Sequence, residues 1–193
     1  MPTKPLKSTR TEQNILTAFI GECQARTRYE YFAKKAKKEG FVQIHYIFLE
    51  TARQEQAHAS RLFKLMQGGD VEVQASFPFG VNGTTEENLR AAAKGEMYED
   101  QEMYPAFAKV AREEGFDSIA VIFETIGIAE RMHGQRFLAL ADAIANGTTF
   151  SREESQTWHC IKCGYLHEGK EAPDVCPACA HSKSYFEIFK ENW

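Results

Sequence analysis

The chain has 193 residues, 43% of them hydrophobic, and a formal net charge of −4; this suffices for one sizeable core and a small second module. The acidic balance argues against a nucleic-acid binder: no basic run or basic-aromatic patch exists to neutralise phosphates, and Lys35–Lys38 is interrupted and followed by Glu39. Met1 to Ser8 lacks the apolar core of a signal peptide, and no stretch approaches the roughly 18 apolar residues of a membrane span, so a soluble, cytoplasmic protein is expected.

Thr9-Arg10-Thr11-Glu12 has the form of a capping box, and helical periodicity follows through Ile15, Ala18, Glu22, Ala25, Tyr29, Phe32 and Ala36. A first helix over about 10–38 ends at Gly40; a second runs to about 67, where Gly68-Gly69 stops the pattern. Residues 68–84, with Phe77-Pro78-Phe79-Gly80 and Asn82-Gly83, are too many for a tight hairpin and read as a crossover. Thr84-Thr85-Glu86-Glu87 caps a third helix through Leu89, Ala92, Glu96, Met103, Phe107 and Val110. Gly115 separates it from a fourth, about 116–145, closed by Asn146-Gly147. Four long helices, two short connections and one long crossover predict an all-α, ferritin-like four-helix bundle over residues 1–147.

An internal repeat carries the same architecture. Residues 29–65 align with 104–140 at an offset of 75, with identity at 15 of 37 positions, among them Tyr29/Tyr104, Glu55/Glu130, His58/His133 and Arg61/Arg136. Upstream, Asn14–Glu22 matches Asn88–Glu96 at an offset of 74. One residue is therefore inserted between Glu96 and Tyr104, and an added residue inside a continuous helix is most easily absorbed as a π-bulge.

Glu55-Gln56-Ala57-His58 and Glu130-Arg131-Met132-His133 each place a glutamate and a histidine on one helical face, and each pair interrupts an apolar stripe. Acids on an inward stripe need a reason. Glu22 and Glu96 occupy matching places on the first and third helices, completing the pattern of one Glu from each of two helices and Glu-x-x-His from each of the others. Glu55 and Glu130 would bridge two metals, with Glu22 and His58 terminal on one and Glu96 and His133 on the other; mixed oxygen and imidazole ligation suits iron or manganese. Glu99, just inside the insertion, is a further candidate ligand, against a reading as a surface acid in the run Glu99-Asp100-Gln101-Glu102. Tyr29 and Tyr104 lie on the same stripes and are candidates to hold the carboxylates by hydrogen bonds, while Cys23 reads as an ordinary half-buried thiol.

Residues 148–157 form a polar connector in this reading. From Trp158 the last 36 residues are too few to fold on an apolar core alone. Cys160-Ile-Lys-Cys163 and Cys176-Pro-Ala-Cys179 make a four-thiolate metal site the expected staple for residues 158–193. Such a site accepts zinc, which would make the module a docking knob, or iron, which would make it a one-electron carrier; the neighbouring di-metal site favours iron.

With Glu22, Glu55-Gln-Ala-His58, Glu96-Met-Tyr-Glu99, Glu130-Arg-Met-His133, Cys160-Ile-Lys-Cys163-Gly-Tyr165 and Cys176-Pro-Ala-Cys179 in hand, the chain resembles the rubrerythrins over nearly its whole length. The resemblance implies a ferritin-like domain with two irons and a rubredoxin-like β/loop domain with one iron on four cysteines. It further implies a non-haem di-iron peroxidase in oxidative stress defence. Hydrogen peroxide would be reduced to water with electrons from rubredoxin or an NAD(P)H-dependent reductase, in a homodimer or higher homo-oligomer with one subunit's tail near the other's di-iron site. It also implies that Glu99 and His58 alternate as ligands of one iron with oxidation state. Twelve residues between Cys163 and Cys176 are fewer than in free-standing rubredoxins. A ferroxidase or iron-storage protein, and a zinc-tailed interaction protein, are the rival readings.

Overall fold

The computed structural model describes residues 5–191; the first four and last two, the outer ends of the two expected domains, lie outside the described residues. Helices α1 (Arg10–Lys38) and α2 (Val42–Phe63) form one antiparallel pair. Helices α3 (Thr85–Tyr98) and α4 (Tyr104–Glu113), joined by a π-helical turn over Glu99–Met103, pack against α5 (Asp117–Ala145) as the other. The long crossover connects the pairs, giving the ferritin-like bundle that the helical periodicity and connection lengths predict.

Local chemistry places the helix ends. Thr9 Oγ1 accepts from the Glu12 N–H at 3.1 Å, while the Glu12 carboxylate accepts from the Ser8 N–H at 2.7 Å. At α3 the Thr84–Glu87 capping box is complete, with both reciprocal bonds made. The second helix ends at Phe63, short of the expected 67, because Leu65 and Met66 donate to Leu62 and Phe63 in i→i+3 bonds that tighten and close the last turn. The repeat is visible in how the pairs fasten to each other. Glu39 accepts from the N–H and hydroxyl of Thr85 at 2.8 and 2.6 Å, and its counterpart Glu114 accepts from the same groups of Thr11 at 2.9 and 2.6 Å. Each pair thus caps the other's leading helix, a contribution on the order of 1 kcal/mol apiece.

The bundle core is split into two apolar layers. One gathers Ala25, Tyr29, Phe32, Phe48, Ala52, Ala93 and Phe137, and the other Ile15, Ala18, Leu62, Tyr104, Phe123 and Ile126. Along every helix the chain passes from one layer to the other across a buried acid: Ala18 to Ala25 across Glu22, Ala52 to Leu62 across Glu55, Ala93 to Tyr104 across Glu96, Ile126 to Phe137 across Glu130. Among the described residues neither apolar layer continues through that level.

The inserted residue is absorbed as expected. In the π turn the Tyr104 N–H bonds to the Glu99 carbonyl, an i→i−5 bond. Arg131 holds the bulge from α5, its Nε and Nη2 each donating at 3.0 Å to the nearly buried Asp100 carboxylate.

Beyond the bundle, β1 (Ser151–Cys160) lies between β2 (Leu166–Glu171) and β3 (Phe186–Ile188) in an antiparallel sheet. The stretch 148–157, expected as a connector, is therefore strand from Ser151 on. No alternation announces it, because the register shifts between Ser151 and Gln156 and the residues in that shift are polar and mostly exposed. The short true connector carries Phe150, whose ring stacks on Phe41 at the start of α2 (centroids 6.2 Å apart, planes 2° apart). Trp158, Cys160, Ala172, Cys176 and Phe186 form a small separate core. No helix among the described residues is long and apolar enough to cross a membrane.

Candidate metal centres

At the level between the apolar layers the four helices bring six side chains together. Ligand atoms of Glu22, Glu55, His58 and Glu130 lie within 4.8 Å of one another, and so do those of Glu55, Glu96, Glu130 and His133. Glu55 and Glu130 belong to both sets. The halves match closely: His58 Nδ1 stands 2.9, 3.2 and 3.6 Å from oxygens of Glu130, Glu55 and Glu22, and His133 Nδ1 stands 2.8, 3.2 and 3.5 Å from oxygens of Glu130, Glu55 and Glu96.

This arrangement is costly for protein alone. Glu55 Oε1, Glu96 Oε2, both Glu130 oxygens and His133 Nδ1 are buried without a hydrogen-bond partner among the described residues. A buried unpaired charge costs several kcal/mol. Burial, then the charges of Glu130 and Glu55 against the opposing His58, hold the Glu22 carboxyl well above its usual range; burial and the Glu55 charge do the same to Glu96. Burial would raise Glu55 as well, but its contacts with His133 and His58 outweigh this and bring it to about 2. Burial lowers His133, yet the close approach of Glu130, Glu55 and Glu96 pushes it up to about 12, and that of Glu130, Glu22 and Glu55 likewise raises His58. Acids outnumber the imidazoles that can neutralise them. Two divalent cations at the shared oxygens would take the place of these protons, and the orphaned acceptors converge where such ions would sit; the donor set fits a di-metal centre.

Tyr29 and Tyr104, both fully buried, donate their hydroxyls to Glu96 and Glu22. Each reaches across to a carboxylate of the other helical pair, so the two bonds are related by the repeat. Tyr104→Phe leaves the Glu22 oxygen without its donor and is expected to cost roughly 1–3 kcal/mol of stability. A lowered denaturant midpoint would show it; an unchanged midpoint would mean that the hydroxyl does nothing for the carboxylate.

Glu99 is not brought into either set. It is half-buried on the π turn, its Oε1 3.9 Å from where a Cβ on Gly21 would stand, one residue before Glu22. Burial, and next the Glu96 charge, raise its carboxyl well above the usual range. Cys23, expected half-buried, is exposed, since its place beside Glu22 turns it off the inward stripe. Two contacts escape sequence reading altogether: Gln54 Oε1 accepts from His133 Nε2 at 3.0 Å, and Glu50 accepts from Arg136 at 2.8 Å. Both are polar residues on a mixed helix face, and nothing in their spacing marks them.

In the small module all four cysteine sulfurs lie within 4.8 Å of one another, with Cys160–Cys179 at 3.8 Å and Cys163–Cys176 at 3.7 Å. A tetrahedron with metal–sulfur bonds of about 2.3 Å has edges of about 3.8 Å, so these are its edges. Two matching turns present the thiols: Gly164 and Ala180 each donate an N–H to the carbonyl four residues back and take positive φ, +82° and +58°. Although burial raises the Cys176 thiol, the N–H groups of Ala178 and Cys179 bring it down to about 7, which favours the thiolate a metal requires.

The family profile described as Rubrerythrin matches residues 13–141, and the one described as rubrerythrin, rubredoxin-like domain matches residues 158–187. The rubrerythrin of Nitratidesulfovibrio vulgaris is 56% identical over 98% of this chain and 100% of its own length. The chain belongs to the rubrerythrin family. The rubrerythrin of Porphyromonas gingivalis is 50% identical over 98% of this chain and 95% of its own. A structure of nigerythrin in a fully reduced, all-ferrous state superposes with a TM-score of 0.62 at 31% identity, covering 95% of this chain and 91% of that one. Rubrerythrins are di-iron oxidoreductases with a rubredoxin-like domain, and peroxide reduction is the general function known for the family. The glutamate–histidine cluster is accordingly the ferritin-like di-iron site of this chain and the four cysteines its rubredoxin-like iron site.

Proposed function

We propose that this chain is a hydrogen peroxide reductase that receives its electrons from rubredoxin or an NAD(P)H-dependent reductase by way of the four-cysteine iron. The observation that carries the reading is the pairing, in one chain, of a buried six-ligand cluster with orphaned acceptors and an attached tetrahedral thiolate site. A ferroxidase or storage protein needs the first but has no use for the second. When bound, the two irons would supply the two electrons that, with two protons, convert hydrogen peroxide to two waters.

The remaining work falls to the residues. Glu55 and Glu130, shared by both sets, would hold both ions, with Glu22 and His58 completing one set and Glu96 and His133 the other; Tyr104 and Tyr29 hold Glu22 and Glu96 in orientation. Glu99, with Gly21 leaving room beside it, is the carboxylate that would take the place of His58 toward a ferric ion, since carboxylate favours the harder ferric ion and neutral imidazole suits ferrous. His133, nearly fully buried, stays in place. Oxidised and reduced crystals of the same preparation test the exchange directly; identical ligands in both would refute it.

Electron delivery is proposed to run between subunits of a homo-oligomer. The small module packs at the Gly40–Phe41 end of α2, with Ser184 Cβ 3.7 Å from where a Cβ on Gly40 would stand. From Phe41 to Glu55 is 14 residues of helix, on the order of 20 Å. The chain's own thiolate site therefore lies at the far end of α2 from its di-iron cluster, and a partner's tail would be the one to deliver the electrons. The whole reading is tested by metal analysis and a visible spectrum: about three irons per chain, two in the bundle and one on thiolates with the red colour of ferric thiolate, is the expected result. Stoichiometric zinc in the tail would sink it.

A further inference from the structure

The two halves of the di-iron cluster are built alike but fastened differently. At the repeat offset of 75, Gln54 on α2 corresponds to Ala129 on α5, and Glu50 to Thr125. On the His133 side both α2 residues reach across to α5, Gln54 to His133 Nε2 at 3.0 Å and Glu50 to Arg136 at 2.8 Å. On the His58 side neither tie has a counterpart among the described residues. Ala129 has only a methyl group where Gln54 has its amide, and the Thr125 hydroxyl bonds to its own helix, to the carbonyls of Val121 and Ile122 at 2.9 and 3.0 Å. His58 Nδ1 faces the acids, and among the described residues its Nε2 makes no hydrogen bond. Its side chain is 17% exposed, against 2% for His133.

An imidazole that offers a metal the lone pair of Nδ1 carries its proton on Nε2, and an acceptor on that N–H fixes the tautomer and the ring plane and makes the ligand a better donor. Gln54 does this for His133. We propose that Gln54 is the positioning residue that locks His133 as a permanent ligand, and that Ala129 at the matching position leaves His58 unlocked. The inference rests on the ligand exchange proposed above and says what selects His58, rather than its symmetry mate, as the histidine that yields.

The test uses the reduced, fully iron-loaded full-length protein, with transfer of ferrous iron to a chromophoric chelator followed under anaerobic conditions. The thiolate-bound iron gives the same background in every variant. The parent chain is expected to release its two bundle irons at distinct rates. Gln54→Ala should speed the slower one by roughly 10–100-fold and leave the faster one alone. Gln54→Glu, which keeps an acceptor facing Nε2, should retain slow release, whereas Gln54→Met, which fills the same space without an oxygen acceptor, should release as fast as Gln54→Ala, a result that a merely space-filling role would not predict. Ala129→Gln, supplying the missing amide opposite His58, should slow the faster iron. Release from a folded Gln54→Ala variant at parental rates, or a Gln54→Glu variant as fast as Gln54→Ala, would overturn the proposal. Identical ligands in oxidised and reduced crystals of the parent would instead remove the exchange itself, so the two failures are told apart.

Discussion

A chain ending at residue 149 is expected to fold, bind two irons and react once with hydrogen peroxide after chemical reduction, yet to lose steady-state turnover with NAD(P)H and a reductase. Folding is expected because neither apolar layer of the bundle draws on any residue beyond Ile144, and the helix caps, the Glu39–Thr85 and Glu114–Thr11 ties and the six ligands all lie within the retained part. What the cut removes is β1 to β3, the four thiolates and the stacking of Phe150 on Phe41. Phe41 then loses part of its cover, a cost of about 1–2 kcal/mol that a core of this size can carry. Stoichiometric single-turnover reaction with no sustained NAD(P)H oxidation is the predicted pair of results. Unchanged steady-state turnover would show that electrons enter the bundle without the tail.

Much of the site was legible because the repeat turns weak signals into strong ones. A single Glu-x-x-His is uninformative, but two at matching places, with Glu22 and Glu96 matched at a second offset, locate four helices around one level. The change of offset from 74 to 75 marked the π turn, since helix hydrogen bonding forces an extra residue to appear as a bulge. The paired cysteines were equally plain, because tetrahedral thiolate coordination constrains spacing. Less legible was whatever depends on side chains meeting across helices without periodic placement. Gln54 on His133 and Arg131 on Asp100 are polar contacts whose partners lie 79 and 31 residues away. Strand β1 hid for another reason: its first half is polar and bulged, so alternation, the usual sign of a half-buried strand, is absent.

Removing Glu102 from the π turn is expected to leave the iron in place and take away much of the reactivity toward peroxide. With one residue fewer, α3 and α4 join as one regular helix and a single offset of 74 holds throughout, so Glu99 falls at the place that Ala25 occupies in α1. Losing one residue turns Glu99 by about 100° relative to the helix that follows it, which draws its carboxylate from its station beside Gly21. The six clustered residues lie outside the deleted segment and keep their repeat-related places, which is why iron binding should survive. Single-turnover rates with chemically reduced protein should fall by roughly 10–100-fold, the usual scale when a group that supports a metal site is lost. Glu99→Ala, with the bulge and its Arg131–Asp100 clamp intact, separates the carboxylate from the helix geometry. If both variants slow alike, Glu99 is what the bulge is there to place. If the deletion variant binds two irons and reacts at the parental rate, the inserted residue is a packing relic and the exchange between Glu99 and His58 has no part in the chemistry.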